Sequence, residues 1–91
     1  MSTPVSHDTS QHRFSIEIKG NTGLMDYIDQ GTLWALTHTY VPVELRGQGV
    51  AAKLVEAAFD AARKAGVKID PQCSYVATYM QRHPETDDLR A

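Results

Sequence analysis

The chain of 91 residues has a single cysteine, so no intrachain disulfide can staple it. Charge of one sign is also scarce. Nine Lys and Arg stand against eleven Asp and Glu, a formal net charge of −2. Nonspecific binding to DNA or RNA, which needs a basic face, is therefore not expected. No apolar run reaches membrane length, and no leader pattern with a charged start and apolar centre is seen. A cytoplasmic, reducing compartment and no membrane partner are the expectation. The four histidines have no metal-ligand spacing, so no metal is expected. There are no internal repeats and no low-complexity stretch. What remains is a chain 42% hydrophobic. That suffices for one small domain burying roughly 60–65% of its unfolded surface.

Residues 1–11 are polar, contain Pro4, and carry no apolar period; they read as a flexible N-terminal segment. Phe14, Ile16 and Ile18 alternate with Ser15, Glu17 and Lys19, the period of a strand. Gly20-Asn21-Thr22-Gly23 reads as a hairpin turn, Leu24–Asp29 as a second strand, and Gln30-Gly31 as a further turn. Leu33–Val41 is a third strand, rich in Thr, Tyr, Trp and Val. After Pro42 the period changes. Val50, Leu54, Val55, Ala58, Ala61, Ala62 and Ala65 fall on one helical face, and Gly66 suits the end of that helix. Val67–Ile69 is a short strand closed by Pro71. Ser74–Arg82 is a second, shorter helix ended by His83-Pro84. The fold class is α/β, in the order β-β-β-α-β-α: an antiparallel three-strand meander plus a parallel fourth strand. The handedness of strand–helix–strand crossovers makes the fourth strand parallel to the third.

The chemistry points to Arg46-Gly47-Gln48-Gly49-Val50-Ala51, between the third strand and the long helix. A helix start has N–H groups without intrahelical partners and partial positive charge. Glycines let a phosphate approach those amides. A loop with a solvated arginine and no ligand is the competing structural explanation. The stretch is not a Walker loop, since no Gly-Lys-Ser/Thr follows, and only two of the three dinucleotide-fingerprint glycines are present.

Arg46, Gly49 and Ala51 match the Gln/Arg-x-x-Gly-x-Gly/Ala signature of the Gcn5-related N-acetyltransferases. Three further stretches resemble a small single-domain branch of that superfamily: His38-Thr39-Tyr40-Val41-Pro42, Pro71-Gln72-Cys73-Ser74-Tyr75-Val76, and His83-Pro84. The resemblance spans residues 14–85. It implies a minimal fold of that superfamily, with residues 12–86 as an acetyl-CoA-binding domain and 87–91 as a C-terminal tail. It implies that the strand through Thr39, Tyr40, Val41 and Val43 splays from its neighbour and pairs with pantetheine. Arg46, Gly47, Gln48, Gly49, Val50 and Ala51 would hold the pyrophosphate. The cofactor implied is acetyl-CoA, and the acceptor is a small amine or a protein lysine or N-terminus. The sequence departs from the superfamily in lacking its helical N-terminal segment and two further C-terminal strands, so the acceptor is less defined than the cofactor.

Cys73 falls at the start of the second helix, where a thiol has a lowered pKa and gains nucleophilicity. It is either a small buried residue or a nucleophile that takes the acetyl group; the resembling small acetyltransferases carry a cysteine here. His38, expected on one face with Trp34, Leu36 and Tyr40, is either a general base or a half-buried strand histidine bonded to backbone. Tyr75 and Tyr79 read mainly as packing residues. Acetyl transfer to an amine, direct or through Cys73, is the leading expectation. A noncatalytic CoA-binding module and a purely structural domain are the rivals.

Overall fold

In a computed structural model, residues 5–91 are described. They form one five-stranded sheet with two helices: β1 (Ser6–Asp8), β2 (Arg13–Ile18), β3 (Asn21–Asp29), β4 (Leu33–Tyr40), α1 (Val50–Ala65), β5 (Lys68–Pro71) and α2 (Ser74–Arg82). Short 3₁₀ turns cover Val43–Leu45 and Pro84–Leu89. Spatial order follows chain order, with β1 to β4 antiparallel and β5 parallel to β4. The expected meander, crossover and mixed α/β class are all present.

Three local expectations are corrected. Ser6–Asp8 is not part of a loose segment: it pairs with Phe14 and its neighbours as an edge strand. Its sequence is too polar to reveal this. The His7 ring stacks on Phe14 at 4.1 Å and its Nε2 meets the Tyr27 hydroxyl at 2.7 Å. The first four positions of the expected flexible segment lie outside the described residues. The first hairpin turns at Lys19-Gly20, both with positive φ (51° and 81°), and Asn21–Gly23 pair inside β3. Two consecutive positive φ values give the tight turn that matches strand twist. Finally, residues 87–91, expected as a C-terminal tail, are packed onto the fold. Leu89 is buried, Arg90 bridges to Ile69, and the Ala91 N–H donates to the Ile69 carbonyl at 3.0 Å.

The core lies between the sheet and the helices. Phe14, Ile16, Met25, Tyr27, Trp34, Leu36 and Ile69 project inward and meet Val50, Leu54, Val55, Ala58, Phe59 and Ala62 of α1. Val76 and Met80 of α2 join the same cluster, and Tyr79 sets its ring edge-on to Phe59 at 5.8 Å. α1 ends as its sequence dictates: Gly66 takes φ 73°, its N–H donates to the Arg63 carbonyl, and Val67 reaches back to Ala62. Ile28 and Tyr40, on the opposite sheet face, are about half exposed.

Two features of the sheet position the site. Gly23 has moved from an expected turn to the middle of a strand, on the face toward α1. A Cβ there would lie 2.9 Å from Val50 Cγ1, so only glycine lets the start of α1 come this close to β3. The second feature is in β4. Tyr27 opposes Leu36, and Asp26 opposes His38, so Thr37 is an extra residue. Such a bulge bends its strand and raises its twist. It falls where β4 and β5 part company, since their pairing runs only from Leu33↔Lys68 to Leu36↔Pro71.

Candidate functional site at the open end of the sheet

The site begins where β4 and β5 separate. Pro71 has no N–H to continue a ladder. The last tie between the two is the Cys73 N–H donating to the Leu36 carbonyl at 2.8 Å. Beyond it, β4 continues to Tyr40 while the segment after β5 turns into α2. A wedge opens between them with the start of α1 at its mouth.

That start is built to receive an anion. Gly49 caps α1 with φ 73° and no side-chain hydrogen bond, and the first turn holds no acidic residue. The first intrahelical bond runs from the Lys53 N–H to the Gly49 carbonyl at 3.1 Å. The N–H groups of Val50, Ala51 and Ala52 therefore precede the ladder and face outward. Gly47 takes φ 81°, and a Cβ on Gly47 or Gly49 would meet nothing within 4 Å. These glycines serve backbone conformation and leave open space before the amides. The adjoining pocket, about 230 Å³, is lined by Val41, Arg46, Gly47, Gly49, Val50 and Ala51, together with Leu45, Ala52 and Tyr75. Arg46 Nε donates to the Val41 carbonyl at 3.2 Å, which folds the guanidinium back along the rim.

Some expected residues stand apart. Gln48 does not line the pocket; its Nε2 donates to the Glu44 carbonyl at 3.0 Å and braces the loop. Val43 is 68% exposed on the 3₁₀ turn. Tyr40 is turned to the outer face of the sheet. The expectation for His38 is also corrected. The bulge at Thr37 breaks the alternation, so His38 does not share a face with Trp34 and Leu36. It is exposed beside Asp26, whose carboxylate is already held by Arg13 at 2.6 Å. The same shift turns Thr39, opposite buried Met25, toward the helices.

Thr39 thereby meets Cys73. Its Oγ1 lies 3.5 Å from the cysteine Sγ. Cys73 caps α2, half-buried. Burial pushes its thiol pKa up. The Thr39 hydroxyl and the N–H groups of Val76, Tyr75 and Thr39 outweigh burial and hold the pKa below its ordinary value. Hydrogen bonds to the thiolate therefore favour the form that attacks carbonyl carbon. Tyr75, two residues on, is 41% exposed and joins this thiol to the glycine-loop pocket.

The sequence did not single out the Thr39 side chain or Gly23, and it gave Tyr75 mainly a packing role, whereas that ring is 41% exposed beside the pocket. Gly23 carried a usable signal, a lone glycine in a strand-like run, but the adjacent Gly20-Asn21 drew it into the turn.

Comparison with known proteins agrees with this geometry. The family model for GCN5-related N-acetyl-transferase matches residues 13–89. Protein NATD1 of Xenopus tropicalis is 32% identical over 84 residues, covering 88% of this chain and 76% of that protein. The mouse NATD1 protein is 31% identical over the same length and shares. Among solved structures, the NMR structure of a GCN5-like N-acetyltransferase candidate from Staphylococcus aureus superimposes with a TM-score of 0.76 at 26% identity. It covers 100% of this chain and 91% of that one. Strand order, glycine loop and matched residues lead to one conclusion: the chain belongs to the GCN5-related N-acetyltransferase family.

Proposed function

We propose that the protein binds acetyl-CoA in the wedge between β4 and β5 and transfers its acetyl group to an amine. The observation that carries this reading is a juxtaposition. Open helix amides and glycines stand at one end of a strand separation, and a thiol of lowered pKa stands beside it. Residues matched to the family's loop, Arg46, Gly49 and Ala51, all line the pocket at those amides.

In this reading the N–H groups of Val50, Ala51 and Ala52 take the diphosphate, and Arg46 lies at its rim. The backbone of β4 beyond Leu36, released from β5, offers N–H and C=O groups to the pantetheine amides. The thioester reaches Thr39 and Cys73. The Cys73 thiolate attacks the thioester carbonyl, an S–C bond forms, and CoA leaves as its thiolate. The acceptor amine then attacks the acetyl-cysteine carbonyl and expels the Cys73 thiolate. The proton released by the amine balances the CoA thiolate, so acetyl-CoA and amine become amide and CoA. His38, exposed beyond the bulge, takes no part in this sequence.

The test is incubation of pure protein with acetyl-CoA, followed by intact mass and by acetyl transfer to a panel of amines. A gain of one acetyl group, lost in Cys73→Ala, is the expected result. Equal transfer rates in wild type and Cys73→Ala would replace the covalent route with direct attack. CoA binding without transfer to any amine would make the protein a CoA-binding module.

A further inference from the structure

On β5, Ile69 faces the helices, so Lys68 and Asp70 on either side of it face the outer surface of the sheet. Asp70 lies at the end of the paired stretch. It opposes Ala35, Pro71 opposes Leu36, and the Cys73 N–H then ties to the Leu36 carbonyl. The carboxylate of Asp70 therefore stands at the outer lip of the split that holds Cys73. Asp70 is half-buried, and among the described residues it has no cationic partner. Its side chain accepts only from Gln72 Nε2, at 2.9 Å. Other charges of this face are spent. Lys68 donates its Nζ to the Asp88 carbonyl, and Arg13 holds Asp26 at 2.6 Å. His38, on the same face beyond the bulge, is exposed.

We infer that Asp70 biases the choice of acceptor toward amines that carry a second positive charge, such as diamines, over monoamines. The inference rests on the transfer to an amine proposed above and deepens it. In that reading coenzyme A fills the helix side of the wedge, from the start of α1 to Cys73. An acceptor then meets the acetyl group from the outer surface of the sheet, where Asp70 stands. The attacking nitrogen must be neutral, since it supplies a lone pair to the carbonyl carbon. Its own charge therefore cannot hold the acceptor. A second ammonium a few carbons away keeps its charge throughout and brings the donors that the Asp70 carboxylate lacks. At a half-buried position that pair is screened less than one in open water. Asp26 cannot serve in the same way, because Arg13 already occupies its carboxylate.

Steady-state transfer from acetyl-CoA to diaminobutane and to butylamine tests this on the wild type, Asp70→Asn and Asp70→Lys. Asparagine keeps the shape of the side chain and its acceptor for Gln72. The ratio of kcat/KM for diaminobutane to that for butylamine is the readout. The two reactive ends of the diamine raise this ratio equally in every protein, so only the difference between proteins counts. Asp70→Asn should lower the ratio about fivefold, the scale of one half-exposed ion pair. The change should sit in KM, because Asp70 holds the acceptor and does not touch the reacting atoms. Asp70→Lys should lower the ratio further, by repelling the second ammonium. The same ratio in wild type and Asp70→Asn, or a loss shared equally by both amines, would overturn the inference while amine transfer itself stands. Acetylation of neither amine would overturn it as well, and transfer to other amines would then leave the proposed function intact.

Discussion

At the scale of single residues, Gly49 and Cys73 carry the sharpest expectations. Gly49 holds φ 73° before an open pocket, a conformation that a β-branched residue resists. Gly49→Val should lower CoA affinity at least tenfold, about 1.4 kcal/mol. Calorimetry on a folded variant checks it, and unchanged affinity would remove the loop from the site. For Cys73 the direction with pH follows from its lowered pKa. A depressed thiol pKa keeps the thiolate populated as pH falls below the ordinary cysteine range. Alkylation by iodoacetamide should therefore reach half its plateau rate below the pH seen for a free cysteine peptide. Thr39→Val removes one of the hydrogen bonds that favour the thiolate, so its midpoint should move up. A midpoint unmoved by Thr39→Val would mean that the hydroxyl does not tune the thiol. Residue chemistry of this kind was partly legible in sequence. The glycines and the lone cysteine announce themselves, because few residue types do what they do. Thr39 does not, because its meeting with Cys73 depends on strand parity.

Elements were legible where local periodicity is strong and obscure where tertiary pairing decides. α1 and α2 follow from apolar spacing and their ends, down to Gly66 and Ser74. β1 is three exposed residues with no apolar period, and only its partner strand and the His7 ring hold it in place. The bulge in β4 leaves no mark on an alternating run of Thr, His, Thr and Tyr. Contact between elements gives the next expectation. Gly23→Ala would set a methyl 2.9 Å from Val50 Cγ1, and Val50 is buried at the start of α1. Overpacking of this kind costs about 1–3 kcal/mol. Both thermal stability and CoA affinity should fall together, because the strained helix turn is the one that bears the amides. Val50→Ala in the same chain should restore part of each. Recovery of stability without recovery of affinity would separate the contact from the site. The C-terminal turn gives a second expectation: Leu89→Ala, at a 3% exposed position, should cost about 2–4 kcal/mol by urea denaturation. A cost within about 0.5 kcal/mol, as for surface changes, would mean that the segment is the tail its sequence suggested.

Across the whole molecule, the small scale of the domain shapes what its site does. The helices cover one face of the sheet, and the other carries exposed Ile28, Tyr40 and His38. The pocket at the mouth of the wedge has walls from Val41, the glycine loop, the start of α1 and Tyr75 of α2. A site with few walls makes few contacts and discriminates weakly among free amines. Broad, slow acetylation of small amines is expected, with better rates on a peptide lysine or N-terminus that brings its own contacts. Steady-state kinetics on a matched panel decides; a single free amine turned over at kcat/KM on the order of 10⁵ M⁻¹s⁻¹ or more would show a more complete cleft.

The extra residue in β4 has a bearing on how such a protein changes under selection. Repairing the sheet there, by losing the codon for Thr37, would straighten the strand and undo the change of parity that brings Thr39 to Cys73. The repaired chain would gain an unbroken ladder with β3 and lose the contact between Thr39 and Cys73. Laboratory evolution for heat resistance alone would reward that deletion, whereas evolution under a requirement for acetyl transfer would keep the flaw.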